Sequence, residues 1–137
     1  MAKKKPTRRR YQVFLSHATT DKWLAKTLCE KIEQTGAATF RDDRDIQGGN
    51  DIPDEIRQQI TRSDEFVVLL TPDSIGRQWV QTEIGAAWLL QLRIVPIRCH
   101  VPVDHTPDII KEKKSISLNE FDDYLKQLGA RVRSDHG

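Results

Sequence analysis

Long apolar runs are missing from this 137-residue sequence, and cysteine is scarce. No apolar stretch approaches the roughly 20 residues that a membrane-spanning helix needs. The basic start of the chain is not followed by the apolar segment of a secretory signal. The two cysteines, Cys29 and Cys99, have neither a metal-ligand spacing nor a Cys-x-x-Cys spacing. We therefore expect a cytoplasmic chain with reduced thiols, no metal site and no membrane partner.

Charge is unevenly distributed along the chain. Residues 1–10 hold six of the 22 Lys and Arg residues and no acidic residue, so 16 basic side chains face 20 acidic ones in the remainder, a net charge of −4. We predict a basic disordered leader over residues 1–10. The acidic body argues against nucleic acid as the main partner.

Short apolar runs alternate with longer segments of helical spacing. Strands are predicted at residues 11–15, 37–41, 66–70, 94–97 and 115–118. Helices are predicted from Asp21 to Gly36, from Pro53 to Arg62, from Thr71-Pro72 as a broken helix to Leu92, and from Phe121 to near Gly129, followed by a tail at 131–137. This alternation predicts one α/β domain over residues 11–130, with a flavodoxin-like, doubly wound, five-stranded parallel sheet in the order 2-1-3-4-5 and helices on both faces.

The ends of the predicted strands exclude several functions. Ligands of such sheets bind outside the carboxyl ends of the strands, where the winding reverses. A phosphoryl-receiving regulator needs acidic residues at the end of the first strand and an aspartate at the end of the third, but Ser16-His17 and Thr71-Pro72 stand there. No Walker loop and no Gly-x-Gly-x-x-Gly motif is present, so kinase and dehydrogenase functions lack support.

Three segments in order resemble the Toll/interleukin-receptor (TIR) family. They are YQVFLSH at 11–17, FRDDRDIQGGNDI at 40–52 and FVVLLTPDSIGRQWVQTEIGAA at 66–87, which resemble the first-strand box, the mobile BB loop and a Trp-x-x-x-Glu helix. Gln12 and His17 depart from the common Asp and Tyr of the first box. Gly48-Gly49 replaces the Pro-Gly of animal adaptors and resembles microbial members.

The resemblance implies an enzyme that cleaves the bond between nicotinamide and ribose in NAD⁺, with NAD⁺ as substrate and no cofactor. Glu83 matches the catalytic glutamate of that family, where it would hold the ribose and stabilise an oxocarbenium-like transition state. Because nicotinamide leaves as a neutral ring, one carboxylate suffices. The remaining substrate contacts implied by the resemblance are Phe14, Ser16, His17, Ala18, Thr19, Asp42, Arg44, Asp45 and Trp79.

The resemblance also implies partners. Catalytic members of the family often form composite sites, so we expect self-association through TIR–TIR contacts, a separate sensor or effector protein, and a role in microbial antiphage immunity. A second interpretation stays open: a non-catalytic TIR adaptor that recruits other TIR domains through the 42–52 loop and its helix faces. An adaptor has no chemical need for Glu83.

Overall fold

The regular elements are described in a computed structural model that covers residues 9–42 and 54–136. The strands are β1 (Gln12–Ser16), β2 (Ala38–Arg41), β3 (Glu65–Leu70), β4 (Arg93–Arg98) and β5 (Ile116–Ser117). The helices are α1 (Lys22–Glu33), α2 (Asp54–Arg62), α3 (Gln78–Leu89) and α4 (Phe121–His136). The strands are all parallel, in the order β2-β1-β3-β4-β5, so the predicted topology is confirmed.

Apolar side chains on the two faces of the sheet form two separate layers. Alternate residues of a strand point to opposite faces, so Val13 and Leu15 pack with α1 and α4 while Phe14 packs with α2 and α3. All six residues of β3 are buried, as the uninterrupted apolar run at 66–70 predicts for a central strand. The sheet is therefore covered by helices on both faces.

Pro96 lies at a position of β4 where the missing N–H does not remove a backbone hydrogen bond to the central strand β3. The N–H of Cys99 donates to the Leu70 carbonyl, and successive residues of a strand direct their hydrogen-bonding groups to alternate sides. The Pro96 nitrogen therefore faces away from β3 and towards the side of β5. Since β5 pairs only with Ile97 and Arg98, the proline sits in the penultimate strand at a position without a β5 partner. This agrees with the preference of proline for strands near the edge of a sheet.

Helix α4 continues beyond Gly129 to His136, so the helix end predicted near Gly129 is wrong. Two contacts explain the extra turns. Val132 is buried against the layer of α1 and α4, and the guanidinium of Arg131 makes a bidentate pair with the Glu65 carboxylate at 2.9 and 3.1 Å. Tertiary contact thus outweighs the helix-weakening glycine.

Glu65 is the centre of a buried polar cluster at the amino end of β3. Its side chain is fully buried, and besides Arg131 it accepts hydrogen bonds from the hydroxyls of Tyr11 and Tyr124. Burial, and then the hydrogen bond to Glu65, raises the pKa of Tyr11. Burial, and then the charge of Glu65, raises the pKa of Tyr124. Both phenols therefore stay protonated and remain donors to the carboxylate.

One predicted helix start is wrong, and two tryptophans lie on exposed faces of their helices. Trp23 and Trp88 are 82% and 51% exposed rather than buried with their helices. A residue spacing of four drifts about 40° around the helix at each step, which carries Trp88 off the face that buries Val80 and Ile84. The third helix does not begin at Thr71-Pro72, because a turn precedes Gln78.

Candidate functional site

Glu83 occupies a position on α3 that the helix otherwise gives to apolar residues. The buried residues of α3 are Val80, Glu83, Ile84 and Ala87, at spacings of three, four and seven that define one face of a helix. Only 1% of Glu83 is exposed. A carboxylate in an apolar stripe is costly to bury without polar partners. Burial of Glu83 therefore requires polar contacts.

Ser16, the last residue of β1, supplies one of those contacts. Its Oγ donates a hydrogen bond to Oε1 of Glu83 at 2.6 Å, and Ser16 is itself 1% exposed. The bond joins the carboxyl end of β1 to the middle of α3 across 67 positions of sequence. The structure thus brings together two residues that the sequence assigns to one site.

Three of the other four residues predicted on the first-strand rim are buried as well. Phe14 is fully buried and stacks on Phe66 at a centroid distance of 5.5 Å, so it lies in the core. His17 and Ala18 are each 2% exposed, and Nδ1 of His17 lies 2.7 Å from the Ala18 carbonyl oxygen. Thr19 is half-buried at the start of a 3-10 turn. The roles of these four residues in substrate binding stay predictions.

The remaining predicted residues divide between described and undescribed parts of the chain. Trp79 is one turn before Glu83 on α3, and its buried indole Nε1–H has no hydrogen-bond acceptor among residues 9–42 and 54–136. Asp42 is buried directly after β2. Arg44 and Asp45 lie outside the described residues. A group at the site that can accept from Trp79 would satisfy its indole.

A pair of hydrogen bonds that sequence patterns do not reveal crosses the crevice where the winding reverses. Thr71 Oγ1, after β3, donates to Asp21 Oδ2 at 2.6 Å, and Thr20 Oγ1, after β1, donates to Asp73 Oδ2 at 3.2 Å. We call these four residues the β1–β3 latch. Asp21 fits the pattern of a helix N-cap, but its side chain makes no capping bond to α1. The latch holds the two loops that flank the crevice against each other.

Replacing Thr71 by valine is expected to lower stability by about 1–3 kcal/mol, the cost of leaving a buried polar group without its partner. The Thr71 hydroxyl donates to Asp21 and also accepts from the Ser74 N–H at 3.0 Å, so both bonds are lost at once. Denaturant unfolding measures the change. Thr61→Val is the matched control, since that exposed hydroxyl bonds only its own helix. Equal midpoints for the two variants would show that the Thr71 hydrogen bonds of the latch do not stabilise the domain.

Two cavities in the described part of the molecule lie away from these residues. A cavity of about 570 Å³ lies between the amino end of β4 and α4, and another of about 380 Å³ lies between α1 and β2. None of the predicted site residues lines either one. Residues 9–42 and 54–136 contain no cluster of three potential metal ligands, and none of their helices is long and apolar enough to cross a membrane.

The sequence model of the TIR domain matches residues 13–129 of the chain. The chain belongs to the TIR domain family. That match spans all five strands and reaches into α4. Comparison with curated protein sequences gives no significant match.

Solved structures with the same fold include both TIR domains and an N-glycosidase. The TIR domain of the Toll-related receptor TRR-2 from Hydra magnipapillata is 24% identical, with a TM-score of 0.68 over 90% of this chain and 98% of that one. The TIR-STING receptor from C. gigas, solved with 2',3'-cGAMP, is 22% identical with a TM-score of 0.70; the match covers 90% of this chain but 42% of the receptor. The CMP N-glycosidase BcmB from Clostridium botulinum is 18% identical, with a TM-score of 0.56 over 85% of this chain and 97% of that one. At these identities the comparisons establish the fold alone.

Proposed function

We propose that this TIR domain is an NAD⁺ glycohydrolase that cleaves the bond between nicotinamide and ribose. The observation that carries the proposal is the buried Glu83 carboxylate, held by Ser16 at the carboxyl end of β1. This is the crevice in which doubly wound sheets bind ligands. The N-glycosidase with the same fold lends support, because its name describes cleavage of the same kind of bond.

The proposed chemistry needs one negative group beside the ribose. As the N-glycosidic bond breaks, nicotinamide leaves with the bonding electron pair and becomes neutral, while positive charge develops on the ribose C1′. Glu83 stabilises that charge in surroundings where electrostatic interactions are strong. Water then adds its oxygen to C1′ and releases a proton, which gives ADP-ribose. Attack by a group of the ADP-ribose itself in place of water would give a cyclic isomer.

Trp79 fits a supporting role in this reaction. Its buried Nε1–H lacks an acceptor among the described residues, and it lies one helical turn from Glu83 on the same side of α3. A bound nucleotide offers many acceptor oxygens that could satisfy the indole. Packing of the ring beside the ribose would also keep water away from the developing cation.

The burial of Glu83 gives the proposed activity a dependence on assembly. Because 1% of this residue is exposed, NAD⁺ can touch the carboxylate only after the groups that cover it move. We propose that contact with a second TIR domain favours the open arrangement, by a population shift towards the state that binds substrate. In this scheme the chain serves microbial antiphage defence, with a separate protein as the sensor.

Incubation of the purified chain with NAD⁺ tests the proposal directly. We expect nicotinamide release, detected by liquid chromatography, with a rate per molecule that rises as the protein concentration rises. Mass analysis of the second product distinguishes ADP-ribose from a cyclic isomer. Binding to another TIR domain without loss of NAD⁺, in an assembled sample, would instead establish the adaptor.

A further inference from the structure

Ser16 is held by the sheet at the edge of the crevice. It ends β1, pairs with Val68 of the central strand β3, and is 1% exposed. Glu83, by contrast, extends from a helix through three rotatable side-chain bonds. The hydrogen bond from Ser16 Oγ therefore restricts the flexible side chain of Glu83, because Ser16 is already held by the sheet.

The single proton of the Ser16 hydroxyl is already engaged. A serine has one O–H to donate, and here it is directed at Oε1 of Glu83 at 2.6 Å. The hydroxyl is therefore not available as a donor to NAD⁺ while the bond persists. A substrate oxygen would have to break a buried hydrogen bond to take its place.

We propose that Ser16 is a positioning residue that orients the Glu83 carboxylate, and not a ligand of the substrate. The expected effect of Ser16 on the reaction rate rests on the proposed NAD⁺ cleavage. The hydroxyl holds one carboxylate oxygen, so the carboxylate stays in one rotamer towards the reacting ribose. Ser16 thus acts on the reaction through Glu83.

Kinetics separate positioning from substrate binding. We expect Ser16→Ala to lower kcat by about tenfold to a hundredfold, the scale on which a misplaced catalytic group reduces rate, and to change KM less than about threefold. Ser63→Ala is the matched control, because Ser63 is another buried serine whose hydroxyl bonds a carbonyl of α2. A rise in KM with kcat intact would make Ser16 a substrate ligand and overturn the inference.

A double-mutant cycle in unfolding tests the same contact without NAD⁺. We measure the denaturation midpoints of wild type, Ser16→Ala, Glu83→Ala and the double variant. The drop caused by Ser16→Ala should be several degrees in wild type and clearly smaller when Glu83 is already alanine, because directly bonded residues are not additive. Equal drops in both backgrounds would show that the two residues are not coupled and would overturn the inference.

The two measurements distinguish the two proposals. Absence of nicotinamide release from the wild type contradicts the proposed function, whereas the unfolding cycle still decides whether Ser16 holds Glu83. A third result is also informative: the unfolding cycle shows coupling, the wild type is active, and Ser16→Ala keeps the wild-type kcat. This result would support the proposed function and exclude a positioning role for Ser16.

Discussion

Glu83→Gln is expected to reduce nicotinamide release by at least about a hundredfold, and by as much as about a thousandfold, while the fold is retained. Glutamine keeps the size of the side chain and an oxygen that can accept from Ser16, so the contact at 2.6 Å has a neutral replacement. What is lost is the negative charge beside the ribose, and removal of one preorganised electrostatic group costs a factor of about 10²–10³ in rate. Steady-state kinetics should show the loss in kcat, since the charge develops in the transition state.

Two controls make this result specific to position 83. Glu120→Gln removes an exposed carboxylate at the start of α4, and it should leave the rate unchanged. Thermal unfolding of Glu83→Gln should show no loss of stability, because a neutral amide costs less to bury than a charge. Turnover by Glu83→Gln at the wild-type rate would end the catalytic assignment.

Arg131→Met is expected to destabilise the domain by about 3 kcal/mol, the lower end of the cost of breaking a buried ion pair from one side, because 23% of the Arg131 side chain is exposed. Methionine retains the apolar stem but leaves the fully buried Glu65 without its cation, and among residues 9–42 and 54–136 only the hydroxyls of Tyr11 and Tyr124 remain as donors. For a domain of this size each kcal/mol shifts the melting temperature by roughly 2–8 °C. Calorimetry should therefore record a fall of about 6 °C or more.

The same helix provides the comparison for that variant. Arg133→Met removes an exposed guanidinium two positions further along α4 and should change stability by less than about 0.5 kcal/mol. Adding Glu65→Gln to Arg131→Met should recover part of the loss, because no unpaired charge is then buried. If the double variant is no more stable than Arg131→Met, the unpaired charge of Glu65 is not the cause of the loss.

The architecture was predictable because its cause is local. The run at 66–70 is apolar at every position, and only a strand covered on both faces buries such a run, so the place of β3 in the sheet follows. The positive φ of Gly36, 102°, is the conformation that glycine supplies after a helix, and the predicted end of α1 is confirmed by it.

The end of α4 was not predictable from local pattern. Gly129 is typical of a helix terminus, but Arg131 and Val132 find partners 66 residues away on β3 and in the core. The exposed Trp23 illustrates the same limit, because spacing indicates that residues share a face and not which face the sheet covers.

The candidate site was predictable in part. The rule that ligands bind where the winding reverses places Ser16 at the crevice from sequence alone, whereas Glu83 is assigned to the site by its resemblance to the TIR family. The bond between them, and the latch from Asp21 to Thr71, depend on side-chain rotamers that sequence does not encode in any pattern. Asp21 shows the difficulty. Its residue type and position favour a helix N-cap, but its carboxylate instead accepts a hydrogen bond from Thr71, 50 positions away in the sequence.

Pro96 constrains how copies of this domain can associate. A strand from another molecule would need outward N–H donors along β4, but the proline has none, and the two residues of β5 cover only Ile97 and Arg98. Continuous backbone pairing between this edge of the sheet and a strand of another molecule is therefore disfavoured. Filaments of the chain on that side would have to grow by side-chain packing, which permits dissociation, and not by seamless backbone pairing.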